Sequence, residues 1–396
     1  MSTPPPPPPG LGIRHTAHLL RNYSHVERAG IKILAGWFLA APAWETKYRL
    51  AYHVIDHAEH VTAYRSRLLE MRGGQPDSAV SQPLRHLLAE ALHAPSTDSL
   101  LRGLYGVIKR DLLRALQAHQ AALDPAANAV EDRMLRKIVP DLEAQMAWYD
   151  GLNIADPADP WARYLETLLQ AAGGIEGEPP TAEIPPPFSG PRFRRPATIC
   201  FDERIRIGEL TPYETRQQLT ERESTIEQFK VFFNELYAAA LLASLLFDAA
   251  EDGHPWEFYA DFSRHFWDEV RHSEFGAIRL RELGEEPSVC NPVLFEQSES
   301  LPVLHRLCYL TRGLEAYFMP RKQPRVREYE SRGDTRSQLF ADQDWSDEVT
   351  HVRYGSTWSE YLLKDDFRAV EDVLDEVRDH LATVSGGDVT AISAPF

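Results

Sequence analysis

The chain has 396 residues, 43% of them hydrophobic and 26% charged, enough apolar material for more than one buried core. Its 59 acidic residues against 42 Lys and Arg leave a net charge of −17, so the surface repels phosphate backbones and nucleic acid is a poor partner. Three cysteines, Cys200, Cys290 and Cys308, are too widely spaced for a disulfide framework or a zinc motif.

Residues 1–12 form a proline-rich start that is expected to be disordered, with a polyproline II bias and without the basic-then-apolar order of a signal peptide. The longest apolar stretch, Leu236 to Phe247, is shorter than the roughly 20 residues that span a bilayer. A cytoplasmic protein without a membrane partner is expected. Residues 13–172 carry apolar positions at helical spacing and predict a first helical bundle. Residues 173–211 are rich in Gly and Pro and read as a linker, with Arg192-Phe193-Arg194-Arg195 as a solvated basic stretch inside it.

From 212 to 396 helices return, four of them long. The first opens at Ser224, where Ser224 to Glu227 fits a capping box, and runs to about Ala250. The second starts after Gly253 with Pro255 in its first turn and ends near Gly284. The third starts near Pro302 and is expected to stop by Pro320. The fourth runs from about Asp344 to Lys364 and tolerates Gly355. No alternating Val/Ile-rich run is long enough for a sheet, so the fold class is all-α, and a four-helix bundle is the natural closed arrangement.

The two halves resemble each other. Trp44-Glu45 lies 212 residues before Trp256-Glu257, and the same offset maps His53, Asp56 and His60 onto His265, Asp268 and His272. A diverged duplication of one helical unit is the expectation.

Chemistry concentrates in the second half. Glu269-Val-Arg-His272 and Glu348-Val-Thr-His351 are Glu-x-x-His pairs on expected helices, and residues three apart share a helix face, so each pair presents an oxygen and a nitrogen to one metal. Single matches of this kind arise by chance. The signal sharpens because Glu235 lies 34 residues before Glu269 and Glu315 lies 33 before Glu348, giving Glu, Glu-x-x-His, Glu, Glu-x-x-His on four successive helices. Four carboxylates balance two divalent cations. Glu235, set between Val231-Phe232-Phe233 and Leu236-Tyr237-Ala238, would be costly there without a cation.

This ligand order resembles the ferritin-like, carboxylate-bridged di-iron proteins. Asp268-Glu269-Val-Arg271-His272 and Asp347-Glu348-Val-Thr350-His351 resemble the Asp-Glu-x-Arg-His signature of their O2-activating branch. The resemblance implies Glu235 and Glu315 as terminal ligands, Glu269 and Glu348 as bridges, and His272 and His351 on one iron each. It further implies Asp268 and Asp347 as outer acceptors orienting the imidazole of the opposite helix, with Arg271 paired to one of them. Thr350 departs from the signature's Arg. His265, four residues before Glu269, makes His-x3-Glu-x2-His, which resembles the additional histidine of di-iron arylamine N-oxygenases; it is a further candidate ligand or a packing histidine.

The first half has lost the set. Glu27 matches Glu235, His57 stands for Glu269, Glu143 and Met146 fall where Glu-x-x-His belongs, and Lys109 or Asp111 falls near the third-helix position. A metal-free scaffold that covers the active bundle or forms a homodimer contact is expected, with one metal on Glu27, His57, His60 and Glu143 as the alternative.

The implied function is an O2-dependent oxidase or oxygenase using two iron ions, or a mixed manganese/iron pair, on a small-molecule substrate with an external electron donor. Phe232, Phe266, Phe318 and Tyr354 are candidates for the pocket wall, and Tyr237 and Tyr317 for redox-active tyrosines. The rival readings are a ferroxidase or iron-storage protein and a non-catalytic helical scaffold.

Overall fold

A computed structural model describes residues 10–72, 74–177 and 183–384; the start at 1–9, expected to be disordered, lies outside the described residues. Residues 10–12, grouped with that start, are tied down: Leu11 N–H donates to Asn128 Oδ1 and Asn128 Nδ2 donates back to the Leu11 carbonyl, each at 3.0 Å.

The fold is all-α. Among the described residues the one departure is a parallel pairing of two residues from β1 (Arg206–Ile207) with two from β2 (Val289–Cys290). Packing divides the chain into two compact units, one holding the described residues of 1–33 and 56–194, the other those of 34–55 and 195–396. This departs from the expected ranges in two places. Residues 34–55 belong with the second unit, and the described residues of 173–211 divide between the two units at Arg194 and Arg195.

The reason lies in backbone pairing. Cys200 N–H donates to the Leu39 carbonyl at 2.9 Å and Asp202 N–H to that of Pro42 at 3.1 Å, which anchors the proline-rich strand in the second unit. Two arginines of the basic stretch are paired, while Arg194 is exposed as expected. Arg192 holds Glu90 at 2.8 Å within the first unit, and Arg195 holds Asp248 and Glu299, each at 2.9 Å, within the second.

Helices α1 (Ile13–Ala40) and α2 (Trp44–Glu70) contribute residues to both units. The first unit continues with α3 (Gln82–Ala91), α4 (Thr97–Gly103), a π-helical stretch Leu104–Lys109, α5 (Arg110–Ala121), α6 (Ala129–Gly151) and α7 (Pro160–Ala172). The second unit adds α8 (Tyr213–Arg216), α9 (Glu221–Asn234), α10 (Leu236–Asp248), α11 (Trp256–Glu282), α12 (Val293–Glu296) and α13 (Val303–Cys308). It closes with a second π-helical stretch Tyr309–Glu315, α14 (Ala316–Arg332), α15 (Thr335–Leu363) and α16 (Val370–Val384).

Three helix boundaries differ from expectation. The capping box belongs to Thr220 and Glu223, not to Ser224 and Glu227, so α9 starts one turn earlier. α15 starts at Thr335, capped by the Asp334 side chain on the Ser337 N–H, so Asp344 sits mid-helix instead of at its start. The chain does not stop at Pro320; α14 runs through Pro320 and Pro324 to Arg332. Four residues apart, the two prolines share one exposed edge of α14.

Every residue of α10 from Leu236 to Leu246 is buried, packed against α11, α12 and α13. Together with α9 it forms the one stretch among the described residues, Glu221–Glu251, long and apolar enough to cross a membrane, and most of it is covered by the protein itself. Two glycines set close approaches between helices of the second unit. A Cβ at Gly276 on α11 would lie 2.2 Å from the Phe233 backbone nitrogen of α9, and one at Gly355 on α15 would lie 2.1 Å from Thr311 Oγ1 in the π-helical stretch.

Candidate metal centre

The ligand positions are set by local helix chemistry. Glu235 occupies a one-residue interruption between α9 and α10, where its N–H turns back to the Phe232 carbonyl at 3.0 Å. Glu315 ends the π-helical stretch, whose wider turn carries one extra residue and re-aims the side chains that follow. Glu269 and His272 share a face of α11, and Glu348 and His351 a face of α15.

All seven candidate ligands converge. His265, Glu269, Glu315 and His351 form one group and Glu269, His272 and Glu348 another, with donor atoms within 4.8 Å of one another in each. A third group joins Glu235 and His272 to Asp344. Glu269 belongs to two of these groups, through His351 Nδ1 at 3.2 Å from its Oε1 and His272 Nδ1 at 3.9 Å from its Oε2. His265 lies inside the cluster, its Nε2 2.8 Å from Glu315 Oε1 and its ring stacked on that of His351 at 3.7 Å.

The outer faces of the imidazoles are held crosswise. His272 Nε2 on α11 donates to Asp347 Oδ2 on α15 at 3.2 Å, and His351 Nε2 on α15 donates to Asp268 Oδ2 on α11 at 3.4 Å. Arg271 bridges both aspartates, 2.5 Å from Asp268 and 3.1 Å from Asp347. Thr350 supplies no guanidinium for the second aspartate pair. Arg264, one turn before Asp268, stands in, donating to it at 2.8 Å.

These contacts leave a specific set of buried atoms without a hydrogen-bond partner: Nδ1 of His272 and His351, and one oxygen each of Glu235, Glu269, Glu315 and Glu348. Buried polar atoms are nearly always paired, so six orphans meeting at one place mark a site that could hold a cation. Without one, the carboxylates draw protons onto the rings. Burial opposes protonation of His351, but Asp268, Glu269 and Glu315 outweigh it and push its pKa up to about 10. Asp347, Glu235, Asp344 and Glu269 raise that of His272 in the same way, again against burial.

Two further members were not legible in the sequence. Asp344, fully buried, lies 3.6 Å from His272 Nδ1. Lys322 donates to Asp344 Oδ1 at 2.7 Å and to Glu348 Oε1 at 2.9 Å. Five carboxylates (Glu235, Glu269, Glu315, Asp344 and Glu348) against one ammonium leave four negative charges, the count that two divalent cations neutralise. Helical spacing held the signal: Asp344 is four residues before Glu348, and Lys322 is seven after Glu315. Ending the third helix at Pro320 hid the second.

A cavity of about 290 Å3 opens onto Glu235, Glu269, Glu315 and Glu348. Of the expected wall residues Phe318 alone lines it. Phe232 packs on Phe229, Phe266 on Phe38, and Tyr354 lies outside the lining. Tyr237 and Tyr317 are also outside it, packed edge to face with Phe201 and Phe318.

The first unit has a different core. Glu27 accepts from His57 and from His60, the latter at 3.1 Å, and His60 Nε2 faces Asp141 at 3.3 Å. Lys109 donates to Gln145 at 2.7 Å, and Gln145 donates on to Asp56 at 2.8 Å. Glu143 does not join them; it is exposed and accepts from Gln117.

The family described as "Protein of unknown function (DUF455)" matches residues 190–390, just over half of the chain and all of the candidate ligands. The chain belongs to this family. No curated protein and no solved structure matches it.

Proposed function

We propose that the second unit is a ferritin-like four-helix bundle holding two iron ions, and that the chain is an O2-dependent oxidase or oxygenase of a small organic molecule. The observation that carries this reading is the convergence of unpartnered ligand atoms from Glu235, Glu269, His272, Glu315, Glu348 and His351 at the end of a cavity. In this reading the bundle consists of α9 with α10, α11, the run from α13 through the π-helical stretch to α14, and α15. An oxygen-rich set with two or three imidazoles suits iron, and equally a manganese/iron pair.

When bound, the metal pair supplies the electrons for O2 reduction, and an external donor restores them. The chain does the rest. Glu269 belongs to both clusters and would offer a carboxylate oxygen to each ion. Asp268 and Asp347 fix the rings of His351 and His272 and keep their Nδ1 atoms turned inward. Lys322 offsets the charge of Asp344 and fixes Glu348. The apolar walls of the cavity hold a substrate next to the ligands and keep bulk water away.

The first unit fits a diverged copy without metal. Both units carry a π-helical stretch, ending in Lys109 in one and in Glu315 in the other. His60 faces Asp141 as His272 faces Asp347, and Asp56 faces Gln145 as Asp268 faces His351. By that register His57 replaces Glu269, Lys109 replaces Glu315, Leu142 replaces Glu348 and Gln145 replaces His351. One ammonium then occupies the core where a carboxylate would stand.

The test is iron loading under anaerobic conditions followed by O2. About two irons retained per chain, oxidised once and again only after a reductant is added, is the expected result. Continuous oxidation far beyond the bound pair would make the chain a ferroxidase, and no retained iron would leave a scaffold.

A further inference from the structure

The cavity that ends on the ligand carboxylates begins among cations. Its rim carries Arg216, Arg321 and Arg325, with Tyr213 between them, and the same four residues line a second, outer cavity. The arginines therefore stand between the surface and the metal site.

These guanidiniums are unspent. Most arginines with buried neighbours in this acidic chain are saturated: Arg195 by Asp248 and Glu299, Arg204 by Glu45 and Asp202, Arg279 by Asp334 and Glu282. Among the described residues no carboxylate and no hydrogen-bond acceptor pairs with Arg216, Arg321 or Arg325. They contact rings instead. Arg321 lies 4.4 Å over Tyr213 and 5.1 Å over Phe318, Arg216 lies 5.7 Å over Tyr213, and Arg325 lies 5.8 Å over Phe232. A guanidinium held over a ring face keeps its N–H groups unpaired, and such donors receive a carboxylate or phosphate, which two parallel hydrogen bonds can hold. Like charges are crowded here: burial, then the Arg325 charge, hold the pKa of Arg216 down to about 10. Such crowding in a chain of net charge −17 is relieved when an anion binds.

We infer that the substrate is a small amphiphilic anion, its carboxylate or phosphate head held by Arg216, Arg321 and Arg325 and its apolar body laid along Leu294, Leu310, Leu314 and Phe318 toward Glu269 and Glu315. This rests on the di-iron reading only for the word substrate; the binding itself needs no metal. Orientation follows from charge. The head group is attracted by the three guanidiniums and, in the metal-free chain, repelled by the ligand carboxylates, so the apolar end is the one presented to the centre.

The experiment uses the full-length chain stripped of metal with a chelator, titrated calorimetrically with n-octanoate, octyl phosphate and the neutral n-octanol. At least one anion is expected to bind about tenfold or more tighter than octanol, and the preferred anion identifies the head group. The double variant R321Q/R325Q should lose about that factor for the anion and leave octanol unchanged, and R321K/R325K should recover part of it. Equal affinity for octanol and both anions, or unaltered anion binding in R321Q/R325Q with an unchanged Tm, overturns the inference. Iron content measured on the same preparations separates the two readings: arginine-dependent anion binding without iron removes the di-iron reading alone, and two retained irons without an anion preference removes this one alone.

Discussion

The ammonium of Lys322 on α14 lies 2.9 Å from Glu348 Oε1 on α15, so one carboxylate of the candidate metal set is held by a lysine of the chain itself. The same ammonium holds Asp344 at 2.7 Å, and all three side chains are buried. A lysine so placed is an internal counter-ion: it offsets the one extra negative charge that Asp344 brings near the centre, so the net charge stays at the four that two divalent cations neutralise.

Removing it is therefore expected to be costly in the metal-free protein. Lys322→Met leaves Asp344 and Glu348 unpaired, and breaking a buried pair from one side costs about 3–5 kcal/mol. Thermal denaturation of the variant should show a large drop in Tm without metal and a smaller one with Fe(II) bound. The double variant with Asp344→Asn should recover part of the loss. A Tm equal to that of the unaltered chain would put Lys322 outside the charge balance.

The crosswise aspartates give a second outcome. Asp347→Asn takes the carboxylate from His272 Nε2 and from Arg271 while preserving shape. Iron affinity, measured by competition with a chelator, should fall about 10–100-fold with the helical circular dichroism unchanged. Unchanged affinity would mean that packing alone orients the ring.

Gly355 tests the close approach that presents Glu315. In Gly355→Ala the new methyl meets Thr311 Oγ1 at 2.1 Å, and overpacking of this kind costs about 1–3 kcal/mol. Because Thr311 and Glu315 belong to one π-helical stretch, iron retention should fall along with Tm. A drop in Tm with full iron retention would separate the packing of Gly355 from the ligand position.

Lys109 gives a pH dependence in the first unit. Burial lowers its pKa from an ordinary 10.5 to about 7, so between those values the unfolded chain binds a proton that the folded one does not. Stability therefore rises with pH across that window, by an upper bound of about 4–5 kcal/mol, and the burial cost is fully present below pH 7. Lys109→Met should raise Tm relative to the unaltered chain at pH 6, and the gain should shrink as pH climbs toward 10.5. A gain independent of pH would show that the ammonium is not what strains this core.

The register of the first unit illustrates how far spacing carries. A constant offset paired His57 with Glu269 and His60 with His272 because both lie on the long unbroken helices α2 and α11. The same reading placed Glu143 in the core and missed Gln145, because six more residues lie between His60 and Lys109 than between His272 and Glu315, so the offset changes before α6 is reached. Counting residues works inside one helix and fails across an insertion.

By itself the sequence determined that the protein is helical and that Glu269 with His272 and Glu348 with His351 are paired, since a spacing of three fixes a shared face whatever the helix packs against. It also marked Glu235, a carboxylate inside an apolar run. Only the tertiary structure decided that Asp344, Lys322, Arg264 and His265 join the cluster and that Glu143, Phe266 and Tyr354 stay out of the sites assigned to them. Helix faces are set by neighbours in sequence. Which faces meet is set by features that leave no periodic trace: a π-helical turn that shifts every later side chain, two prolines carried inside α14, and two glycines that allow close approaches.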